Sequence, residues 1–109
     1  MSKTKGKNET VGWFGPILDA LRELGGSGAP SEVADLVAIN EHLPQAVLKL
    51  KDKEVESLYN KQIEWAGEYL IKEGLVNSSI RGTWELTKVG WDTKLTYNKA
   101  RKIFSYRLN

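Results

Sequence analysis

The segment from Leu58 to Leu86, LYNKQIEWAGEYLIKEGLVNSSIRGTWEL, constrains this chain more than any other. Leu58 or Tyr59, Ile63, Ala66 and Leu70 recur at helical spacing, while Asn60, Lys61, Glu64, Glu68 and Lys72 fall on the other face. Gly74 supplies a stop, and the apolar pair Leu75-Val76 and the run Thr83-Trp84-Glu85-Leu86 read as two short strands around Asn77–Gly82. A helix that passes directly into a tight hairpin must pack its apolar face and the hairpin's inner face on one shared core.

Upstream segments supply that core. Phe14, Ile17, Leu18, Leu21 and Leu24 predict a helix over Trp13–Leu24, with Pro16 in its first turn and Gly25-Gly26 as its end. After a Gly-Ser-Gly loop, Ser31 is the expected cap of a second helix carrying Val33, Ala34, Leu36, Val37 and Ile39. His42–Asp52 reads as a further short helix, and the charged KDKEVES as an insertion before the helix at 58–73. Thr87 is expected to cap a closing segment from Lys88 through Trp91 to Leu95. The expected fold is therefore mainly α with a small β-hairpin, a winged helix-turn-helix over residues 11–95, flanked by a disordered basic arm (1–10) and a helical basic extension (96–109). Trp13, Trp65, Trp84 and Trp91 each lie beside apolar periodic positions and are expected in the core.

Composition narrows the function. A chain of 109 residues supports one small core, and the absence of cysteine excludes disulfides, cysteine-ligated zinc and thiol nucleophiles. His42, the one histidine, has no partner for a triad or metal centre, so no cofactor, metal or catalytic residue is expected. Asp92-Thr93-Lys94 imitates half of a nuclease motif, but no strand-borne acidic partner precedes it, and a phosphodiester-cleaving metal site needs several converging oxygens. The polar start, MSKTKGKNET, is unlike a signal peptide and no membrane-spanning run follows, so the expectation is a cytoplasmic protein that is not an enzyme.

The net charge of +2 hides an asymmetry: residues 1–8 carry +3 and residues 88–109 carry +5, leaving −6 for residues 9–87. Binding to duplex DNA is the expected function, with helix 58–73 in the major groove and the 77–83 loop as wing. Tyr59, Asn60, Lys61 and Glu64 are the candidate readers on the helix and Arg81 on the wing. Asn can pair with adenine, Lys reaches guanine or phosphate, Glu accepts from cytosine, and an arginine at a loop tip can enter a minor groove. The alternative is a protein-interaction domain that uses its acidic surface and does not bind DNA. Ile103, Phe104 and Leu108 offer an apolar face for a homodimer through the C-terminal segment.

NKQIEWAGEYLIKEGL at 60–75 and RGTWELTKVG at 81–90, with GPILDALRELGG and SEVADLVA upstream, resemble the winged-helix N-terminal domain of Mrr-like restriction systems across residues 13–95. The resemblance implies a DNA-binding domain that serves a nuclease domain or subunit of the PD-(D/E)xK kind, with Lys61, Glu64 and the wing around Arg81 facing DNA. Glu64 and Glu68 depart from the more basic helix of that family. The chain is expected to be too short to include the nuclease itself.

Overall fold

The structure, a computed structural model, describes residues 12–44, 58–96 and 98–102. Helix α1 spans Phe14–Glu23 and buries Phe14, Ile17, Leu18, Ala20 and Leu21, the face set by their helical spacing. Helix α2 spans Pro30–Asn40 and buries Val33, Ala34, Val37 and Ala38. Its cap is Ala29, not the expected Ser31, which is exposed inside the first turn. Pro30 accounts for the shift: its fixed φ suits the first helical position and it has no N–H to satisfy, while Glu32 Oε1 accepts the Ala29 N–H at 2.9 Å.

Helix α3 spans Leu58–Lys72. It ends as α1 and α2 do, on a left-handed residue: Gly25 at φ 90°, His42 at φ 55° and Gly74 at φ 80°. In each case two backbone N–H groups fold back onto orphan carbonyls. Gly26 donates to Leu21 at 2.7 Å, Leu43 to Ala38 at 3.0 Å and Leu75 to Leu70 at 3.0 Å. His42 is thus an exposed helix-ending residue.

Strands β1 (Ser27–Gly28), β2 (Val76–Asn77) and β3 (Trp84–Leu86) form an antiparallel sheet in the order β1-β3-β2. The expected two-stranded hairpin therefore gains a third strand from the Gly-Ser-Gly loop, with Ser27 opposite Glu85 and Gly28 opposite Trp84. Two residues without large side chains carry no alternation by which a strand could be recognised. The Leu86 N–H extends this pairing to the Gly26 carbonyl at 2.8 Å. Helix α4, Lys88–Asp92, starts at Thr87 as expected, whose Oγ1 accepts the Gly90 N–H at 3.0 Å and donates to the Gly74 carbonyl at 2.7 Å. It ends at Asp92, before Leu95, and residues 98–102 are helical again.

The core joins α1, α2 and α3 to the inner face of the sheet through Tyr59, Ile63, Ala66, Leu70, Leu75, Val76, Trp84 and Leu86. Of the four tryptophans, Trp84 lies in this core and Trp13 is partly buried against it, its Nε1 donating to Gln62 Oε1 at 3.0 Å. Trp65 and Trp91 are 55% and 45% exposed, which corrects the expectation that all four are core residues. Trp65 lies on the solvent face of α3, and Trp91 sets one edge of its indole against Gly26 while staying 45% exposed. The expected arm at 1–10, most of the helix and insertion at 42–57, and Ile103, Phe104 and Leu108 lie outside the described residues.

Candidate nucleic-acid interface

Helix α3 divides cleanly. Tyr59, Gln62, Ile63, Ala66, Gly67 and Leu70 are buried, while Asn60, Glu64, Trp65, Glu68 and Lys72 are exposed and Lys61 is half-buried. At 100° per residue the second group and Lys61 occupy one arc turned from the core. Asn60, Lys61 and Glu64, expected as readers, are thus together on the first two turns of this arc.

Tyr59 does not belong with them. It is 6% exposed, its hydroxyl donates to the Ala34 carbonyl at 2.7 Å, and the indole of Trp13 meets its ring edge-on at 5.3 Å. Burial first, and the carboxylates of Asp35 and Glu41 second, push its phenol well above the ordinary tyrosine range, so it stays a neutral donor. Its role is to tie the start of α3 to α2. Asn60 and Lys61 are held in place through that tie, and through the Trp13–Gln62 bond that connects α3 to α1.

The wing carries Arg81 as expected, exposed in the loop between β2 and β3. Asn77 Oδ1 accepts the Ser79 N–H at 2.7 Å, and the Ile80 carbonyl accepts the Thr83 N–H at 3.0 Å, with Gly82 at φ 74°. These are the bonds of an Asx turn followed by a β-turn that needs glycine at its third position. The base of the wing rests on α3, where the ring of Trp84 lies over Gly67. Arg81 and the helix readers are on separate elements joined through that contact.

Two further exposed side chains, one on α3 and one in the loop, are not among the expected readers. Trp65 lies four residues after Lys61 and three before Glu68, so its spacing already puts it on their face. Ile80, 58% exposed beside Arg81, has no comparable periodicity to mark it. Charge along the α3 arc is mixed, with Lys61 and Lys72 against Glu64 and Glu68. Lys72 Nζ also stands 5.9 Å from the centre of the Tyr69 ring.

Arg22 of α1 donates to the carbonyls of Gly90 at 3.2 Å, Trp91 at 3.3 Å and Thr93, and to Asp19 at 2.7 Å. Asp92 is exposed at the end of α4, and Lys94 stands 3.8 Å from Asp19. Among the described residues, no helix is long and apolar enough to cross a membrane.

Three helices in this order, a three-stranded antiparallel sheet with its first strand between α1 and α2, and a loop joining β2 to β3 define the winged helix-turn-helix class. Within that class the family model described as the Mrr N-terminal domain matches residues 11–96. The chain belongs to this family. No curated protein and no solved structure matches it.

Proposed function

We propose that this domain binds duplex DNA as the recognition module of a restriction-like system, with α3 in the major groove and the wing against the neighbouring groove or backbone. One observation carries the reading: Asn60, Lys61 and Glu64 share the solvent arc at the start of α3, the part of such a helix that meets base edges, and none of them lies in the core. Arg81 on a wing anchored over the same helix supports it. Family membership ties the module to restriction. The module binds and does not cut; a nuclease domain or subunit supplies the cleavage.

The test is binding of labelled duplex DNA, plain and cytosine-modified, over a salt series. The parent affinity is expected to fall steeply with salt, and Lys61→Ala and Arg81→Ala each to weaken binding and flatten the salt dependence by about one unit of slope. Preference for the modified duplex would tie the module to attack on modified DNA. Parent protein that stays unbound at low salt, or two variants that bind like the parent, would remove DNA from this surface.

A second reading rests on Glu64, Trp65 and Glu68, an acidic and aromatic stretch in a region of net charge −6. Such a surface suits a basic protein segment, and binding of that segment lost on Glu64→Gln with Glu68→Gln would favour it.

A further inference from the structure

We propose that Ile80 is a wedge that enters the minor groove and unstacks a base step while Arg81 holds the groove walls. The proposal rests on the DNA-binding reading above and adds to it a residue that no charge or hydrogen-bond argument selects.

Four observations converge on Ile80. It is a large aliphatic side chain, 58% exposed, in the loop that joins β2 to β3. Its neighbours Ser78, Ser79 and Gly82 are slim, so Ile80 and Arg81 are the two bulky groups of the tip. The tip is preset: the Asx turn at Asn77 and the β-turn closed by the Thr83 N–H fix the backbone on both sides of it. Finally, a cation is adjacent, since Arg81 directly follows Ile80 and is itself exposed.

These features match what a minor groove accepts. That groove is only about 6 Å wide, so it admits a narrow tip and excludes a broad one. Its negative potential attracts arginine, and apolar wedges inserted from this side unstack a step and bend the duplex. The cost of unstacking is met by burial of the aliphatic side chain, which water otherwise surrounds. A preset loop loses little conformational freedom on insertion, which lowers the cost of binding further. A solvated aliphatic residue alone is common on protein surfaces. The combination of a slim, fixed tip with an arginine beside the aliphatic group singles this one out.

The experiment uses the full chain and duplexes carrying the fluorescent adenine analogue aminopurine at pyrimidine–adenine steps, the steps most easily unstacked. Binding of the parent is expected to raise aminopurine fluorescence. Ile80→Ala is expected to abolish that rise and to weaken binding about tenfold, the effect of one buried aliphatic side chain, with the salt slope unchanged because no charge is lost. Ile80→Met, which keeps an apolar side chain of similar volume, restores most of the rise. Arg81→Ala instead lowers the salt slope by about one unit. Melting curves of the Ile80 variants that overlay the parent establish that they fold. Tight parent binding without a fluorescence rise, or an equal rise in Ile80→Ala, overturns the wedge and leaves DNA binding intact. No binding by the parent at low salt overturns both.

Discussion

Gly67 of α3 packs directly against the ring of Trp84 on β3: a Cβ placed on Gly67 would lie 2.2 Å from Cζ2 and 2.4 Å from Cη2 of the indole. A glycine in mid-helix costs about 1 kcal/mol relative to alanine, so propensity alone favours Gly67→Ala. Overpacking a filled core costs about 1–3 kcal/mol, and here the obstacle is a rigid ring, so the steric term wins. Gly67→Ala is expected to destabilise the domain in urea unfolding. Combining it with Trp84→Leu should cost less than the sum of the two single changes, because Trp84→Leu removes the ring that the new methyl collides with and the methyl fills part of the space the ring vacates.

Arg22 has a comparable structural role at the end of α4. Its side chain is 21% exposed and satisfies carbonyls of Gly90, Trp91 and Thr93. Arg22→Met keeps much of the aliphatic stem and removes the donors, for an expected loss of about 1–2 kcal/mol. Amide exchange should accelerate first in residues 88–93, before the rest of the domain opens. Equal acceleration across all helices would show that Arg22 supports the whole core instead.

Tyr59→Phe removes the bond to the Ala34 carbonyl, which keeps its place in the α2 ladder, so the expected cost near neutral pH is about 1 kcal/mol. The pH dependence follows from the raised phenol. The unfolded chain ionises at the ordinary tyrosine value of 10.0 while the folded chain stays neutral well above it, so the contribution of Tyr59 is complete below pH 10 and declines as pH rises beyond it. The difference in unfolding free energy between parent and Tyr59→Phe should therefore shrink and then reverse in alkaline buffer. A difference that stays constant to high pH would contradict the buried, neutral phenol.

Trp65 and Trp84 provide a contrast within one residue type. Trp84→Ala is expected to cost about 3–5 kcal/mol, whereas Trp65→Ala, on the exposed arc, should stay within about 0.5 kcal/mol of the parent. Acrylamide should quench Trp65 strongly and leave Trp84 emission largely intact, measured in variants that retain one tryptophan each.

Glu64→Gln with Glu68→Gln removes two carboxylates one turn apart on the exposed arc of α3, and with them a like-charge repulsion of a few tenths of a kcal/mol in the free helix. If DNA lies on this arc, nonspecific affinity should rise at low salt while discrimination among sequences falls, read by competition between duplexes. Unchanged affinity would separate this arc from the phosphates.

What was legible before the structure follows from side-chain size and repetition. Phe14, Ile17, Leu18 and Leu21 repeat often enough to define α1, and Gly74 and Thr87 mark a stop and a cap through chemistry that few other residues supply. Strand β1 was hidden because Ser27 and Gly28 pair through backbone alone. Tyr59 fits both the apolar spacing and the start of the reading helix in the sequence, and its burial, its edge contact with Trp13 and its bond to the Ala34 carbonyl put it on the core side. Trp65 and Trp91 misled because indole is large and apolar yet tolerates partial exposure, so proximity to apolar positions does not determine its side of the helix.

The pairing of Ser27 and Gly28 with Glu85 and Trp84 has a use in engineering. Strand β3 is clamped on one edge by β1 and on its face by α3, so the return leg of the wing is held independently of the loop that precedes it. Residues 78–83 can therefore be exchanged as a cassette, in length as well as in sequence, with the scaffold keeping the graft in register. Libraries randomised there, from Ser78 to Thr83, should yield folded proteins at high frequency and offer a direct route to new binding preferences on an unchanged frame.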